Sequence, residues 1–147
     1  MSHIRLLEVA RYPGKVASTG VATSRECELT VLHDPSWVDI EAAIRRLDRD
    51  EYPYVWLHLT DPIVGDEPMG MNVMGGRGEY ALSISQPGQV FYYRDPKRGN
   101  EVIRIWESDQ GSSLPEVSLC HGLEVAVRIA KHFSETATPD PSAEWRE

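Results

Sequence analysis

The chain has 147 residues, a length that suits one domain built around one core. Its 41% apolar and 26% charged residues exclude wholesale disorder, and its net charge of −8 argues against a nucleic-acid ligand, whose phosphates reward surplus Lys and Arg. Two cysteines, Cys27 and Cys120, are too few for a disulfide framework or a metal cluster, so both are expected as free, buried thiols. Glu8 and Arg11 interrupt the stretch where a secretory signal would be apolar, and nothing approaches the roughly 18 apolar residues of a membrane span. A cytoplasmic location without membrane contact is the expectation. Most of the acid surplus falls within residues 33–87.

Residues 1–25 read as an N-terminal strand and loop region. The first clear element is a strand over 26–33, where Cys27, Leu29 and Val31 alternate with Glu28, Thr30 and Leu32. Ser36 or Asp34 can cap a helix over 37–47, whose apolar stripe is Trp37, Ile40, Ala43, Ile44 and Leu47. Glu41, Arg45 and Arg46 lie off that stripe. Pro53 precedes a strand over 54–59 that is apolar or aromatic at almost every position and so reads as central in a sheet.

A polar loop over 61–68 follows, then a short strand over 69–74. Gly75-Gly76-Arg77-Gly78 demands a tight connection with positive φ. Strands over 79–85, 89–94 and 101–106, separated by polar turns, predict an antiparallel meander. A second helix is expected over 118–135, capped by Ser118, with Leu119, Leu123, Ala126, Val127, Ala130 and Phe133 buried. The tail carries Pro139 and Pro141 and then Trp145, which is expected to anchor it. The order predicts an α+β fold: an antiparallel sheet with two helices on one face.

The glycine-rich turn lacks the Lys-Ser or Lys-Thr of a P-loop, and a strand follows it where a helix should begin. His3, His33, His58, His121 and His132 show no metal-ligand spacing, so neither metal nor cofactor is expected. Cys120 and His121 are adjacent, whereas a nucleophile and its base normally come from different elements. No catalytic constellation emerges. What recurs is aromatic and acidic residues together at element ends: Trp56 before Asp61, Tyr92-Tyr93 before Asp95, and Trp106 before Glu107 and Asp109. Such pairs suit protein recognition, because aromatics give contact area and acids steer a basic partner.

The helix at 37–47, the strand YPYVWLHLTDP, the segment MGGRGEYALSI, the strand end IWESDQG and the closing AEWRE occur in that order. Together they resemble immunity protein family one of bacterial polymorphic toxin systems, over roughly residues 26–147 of a single 1–147 domain. The resemblance implies a cytoplasmic protein, not an enzyme, that binds and neutralises a cognate toxin, often a nucleic-acid deaminase. On that reading the toxin-facing surface comprises Asp61, Asp66, Glu67, Tyr93, Asp95, Glu107, Asp109 and Gln110. The alternative is a small enzyme or ligand-binding domain whose sheet-face pocket uses Glu79, Glu107 and Arg77.

Overall fold

The computed structural model describes residues 2–13, 27–106 and 113–147; Glu107, Asp109 and Gln110 lie outside the described residues. The elements are β1 (Leu6–Arg11), β2 (Glu28–His33), α1 (Trp37–Arg45), β3 (Tyr54–His58), β4 (Gly70–Gly76), β5 (Glu79–Gln86) and β6 (Gln89–Arg94). They continue with β7 (Val102–Arg104), β8 (Ser113–Pro115), β9 (Cys120–His121), α2 (Leu123–Thr136) and β10 (Glu144–Arg146). An antiparallel sheet runs in the order β10-β6-β5-β4-β3-β1-β2, with β9 pairing to β5. The two helices contact each other, and both pack on this sheet. The fold is α+β, as the residue pattern predicts.

Strand parity decides what each face does. Leu7, Val9, Val55, Leu57, Met71, Val73, Leu82 and Ile84 meet Ile40 and Ile44 of α1 and Ala126, Ile129, Ala130 and Phe133 of α2 in one core. Ser36 caps α1: its Oγ accepts from the Asp39 N–H at 3.3 Å, and Asp39 Oδ2 accepts from the Ser36 N–H at 3.0 Å. That reciprocal pair is a capping box. Arg45 bridges Glu41 at 2.9 Å and Glu124 of α2 at 2.8 Å, both at the surface.

Gly75-Gly76-Arg77-Gly78 turns as its composition requires. Arg77 (φ 53°) and Gly78 (φ 88°) form the two-residue connection from β4 to β5, and both are left-handed, as a primed hairpin turn demands. Gly76 meets a second demand, since a Cβ there would stand 2.7 Å from the Asp48 backbone.

Four elements depart from the expectation. β1 is inserted between β2 and β3 and is buried on both faces except at Glu8 and Arg11, so its residues do not alternate. β2 becomes the sheet edge, exposed along its length, and Cys27 beside it is exposed as well. Cys120 alone is buried, and burial pushes its thiol up to about 12. Residues 101–106 do not extend the meander: β7 pairs with β8, and the free edge of β6 is taken by β10. Finally, α2 starts at Leu123 because Cys120 and His121 pair with Tyr80 and Glu79 of β5. Gly122 (φ 101°) makes the bend, donating its N–H to the Gly78 carbonyl at 2.8 Å, and Ser118 caps nothing.

Candidate partner-binding surface

Strands β3 and β4 deliver the loop that joins them, residues 59–69, at one end of the sheet. Local hydrogen bonds fix its shape. Asp61 Oδ1 accepts from the Ile63 N–H at 3.0 Å, and Asp66 Oδ2 accepts from the Asp61 N–H at 3.1 Å. The Thr60 hydroxyl donates to the Glu67 carbonyl at 2.7 Å, and the Leu59 N–H to the Met69 carbonyl at 2.8 Å. Pro62 opens a single 3-10 turn that ends on Gly65, whose φ of 94° costs glycine little. Asp61 also lies 3.9 Å from His33 at the end of β2.

The loop's tip is apolar. Ile63 is 64% exposed and Val64 is 73% exposed, flanked by Asp61, Asp66 and Glu67. Each such side chain gains about 1.5–3 kcal/mol if covered, and the fold covers neither. A rigid aliphatic tip within an acidic rim is the anatomy of a recognition centre, since ordering costs on binding are already met by the loop's own hydrogen bonds.

The other expected site residues scatter. Tyr93 is not on the surface: it belongs to the core, 9% exposed, with its ring edge-on to Trp145 at 5.9 Å. Parity explains this, because Phe91 and Tyr93 point to the helix side while Tyr92 points away and is 55% exposed. Asp95 follows the far end of β6, at the opposite end of the sheet from Asp61, and its Oδ1 closes a turn on the Lys97 N–H at 3.0 Å. Asp61, Asp66 and Glu67 therefore come together, without Tyr93 or Asp95.

Ile63 and Val64 escaped the sequence reading. The signal available was an aliphatic pair inside Asp-Pro-X-X-Gly, a turn sequence that has no need of them.

Glu79 and Arg77, the alternative's candidates, do not share a pocket. Arg77 is exposed in the hairpin turn, while Glu79 is 6% exposed within an ion network. Arg98 donates to Glu79 from both terminal nitrogens, at 2.7 and 2.9 Å, and reaches Glu116 at 3.2 Å. His121 Nδ1 lies 2.5 Å from Glu79 Oε1. Burial pushes the Glu79 carboxyl up, but the hydrogen bonds from Arg98 and His121 outweigh it and leave the group below its ordinary value. With Arg98 shared between Glu79 and Glu116 and His121 held on Glu79, the network reads as a brace between β5, β9 and the 95–99 turn.

Cys120 and His121 point apart, the thiol at 0% exposure and the imidazole into solvent. Among the described residues no group of three or more His, Cys, Asp or Glu is placed to hold a metal ion, and no helix is long and apolar enough to cross a membrane. No protein-family model matches the chain, and no curated protein matches it in sequence.

Proposed function

We propose that the chain is a cytoplasmic immunity protein that binds a cognate bacterial toxin, of the nucleic-acid deaminase type, and neutralises it by covering its substrate cleft. The observation that carries this reading is the hydrogen-bonded loop 61–67, which holds Ile63 and Val64 in solvent inside an acidic rim. A cleft built for nucleic acid is lined with Lys and Arg, and Asp61, Asp66 and Glu67 are its electrostatic complement. The net charge of −8 gives the same preference at long range. The family resemblance supplies the class of partner.

The test is binding kinetics against the toxin domain encoded beside this chain, at two salt concentrations. Asp66→Lys with Glu67→Lys should slow association about tenfold at low salt and much less at high salt, because rim charges act through screened steering. Ile63→Ala should leave association alone and speed dissociation about tenfold, the equivalent of about 1.4 kcal/mol of lost burial. If both rates stay within twofold in all these variants, this surface is not where the toxin binds. Failure of the unaltered protein to bind the toxin would refute the function itself.

A further inference from the structure

The sheet face turned away from the helices holds a cavity of about 570 Å³, lined by β4, β5, β6, β10 and the segments around β7 and β8. Its floor is low because β5 contributes Ala81 and Ser83 between the larger Met74 of β4 and Tyr92 of β6. Ile105, fully buried, and Leu114 form an apolar wall. That volume holds roughly fifteen to twenty non-hydrogen atoms at the ~30 Å³ that a water occupies in the liquid. It falls in the range of small-molecule sites, which are apolar with a few converging polar groups.

Its cations are two guanidiniums, set among the neutral polar groups of Asn72, Ser83 and Ser113. Trp145 pairs with Tyr93 across β6 and β10, which sets Arg146 opposite Tyr92 and diagonal to Arg94 on the cavity's face. Arg146 has no ion-pair partner among the described residues. Arg94 Nε is ion-paired with Glu144 at 3.6 Å, beyond hydrogen-bond length, at the edge of the sheet. Glu147 also lines the cavity, with its Oε1 accepting from Gln89 Nε2 at 3.2 Å. A guanidinium holds a carboxylate through charge-assisted hydrogen bonds, about twice as strong as neutral ones.

We propose that this cavity binds a small organic carboxylate with an apolar or aromatic body. Arg94 and Arg146 hold the carboxylate, and Met74, Ala81, Ile105 and Leu114 hold the body. The site is independent of the loop 61–67.

Indole-3-butyrate is a suitable probe, with indole-3-butyramide as its uncharged twin, both followed by methyl and amide NMR on the whole chain. The acid should shift the Ala81, Ile105 and Leu114 methyls saturably below about 10 mM and bind at least tenfold more tightly than the amide. Arg94→Gln with Arg146→Gln should erase that preference. Ala81→Leu should fill the floor and abolish both titrations while leaving the urea midpoint near that of the parent. The proposal is overturned by an absence of saturable shifts at those methyls, by equal affinity for acid and amide, or by a charge preference that survives loss of both arginines.

Discussion

Arg98→Ala is expected to destabilise the fold by about 3–5 kcal/mol, the largest loss of any single polar truncation among the described residues. The cause is what it leaves behind. Glu79 is 6% exposed and takes two hydrogen bonds from Arg98, so removing the guanidinium strands a buried carboxylate with His121 alone. Arg98→Lys keeps the charge without the two-pronged geometry and should recover only part of the loss. Replacing both partners, as Glu79→Gln with Arg98→Met, should cost far less than Arg98→Ala, because no charge is then left unpaired.

Acid should act on the same brace. The folded Glu79 carboxyl titrates below its unfolded counterpart, whose ordinary value is about 4.3. Its stabilisation is therefore complete above that ordinary value and is lost as pH falls through the lowered folded value. Urea unfolding between pH 7 and pH 3 would read this as a drop confined to the acid end. A loss under about 1 kcal/mol for Arg98→Ala at pH 7 would mean that water reaches Glu79 readily.

Trp145→Ala comes next, at about 2–3 kcal/mol, below the ~3–5 typical of fully buried tryptophans because Trp145 keeps some exposure. Three contacts are lost together: the edge-on packing against Tyr93, the Nε1 hydrogen bond to the Asp140 carbonyl at 3.1 Å, and the apolar contact with the core. β10 has only three residues, and its central residue is this tryptophan. Without it the strand should detach and bare the edge of β6, so exchange at the β6 amides that face β10 should accelerate beyond what the global loss explains. Unchanged exchange there would show that backbone pairing alone holds the tail.

Elements with one buried face were legible in the sequence. α1 shows its stripe and its Ser36 cap, and β5 alternates Tyr80, Leu82 and Ile84 inward. A strand within residues 1–25 is expected from the sequence, but its bounds and its inner place in the sheet are not. A strand buried on both faces loses its period, and Leu6-Leu7-Glu8-Val9-Ala10 has none to show. β2 misled in the opposite sense, alternating well on an edge where neither face is covered.

Tyr92 and Tyr93 could not be ranked before the register was known, since one step of parity exchanges surface for core. The candidate surface was half visible. Asp61, Asp66 and Glu67 stood out as charge, but Ile63 and Val64 have no periodicity that marks them. Asp95 does not join them, because sequence order does not reveal that β6 runs away from the loop's end of the sheet.

β2 has a consequence for how copies of this molecule behave in a crowd. Leu29, Val31 and Leu32 are 55%, 37% and 41% exposed on a strand whose outer side has no partner strand among the described residues, and the strand carries neither lysine nor proline. Those residues are the usual guards against strands adhering edge to edge. Here the defence is collective. A net charge of −8 keeps copies apart over a screening distance of about 10 Å at 0.1 M salt, and that distance shrinks to about 3 Å at 1 M. The molecule should thus be colloidally safest in dilute salt, with self-association in light scattering rising with ionic strength and falling again in a Val31→Lys variant.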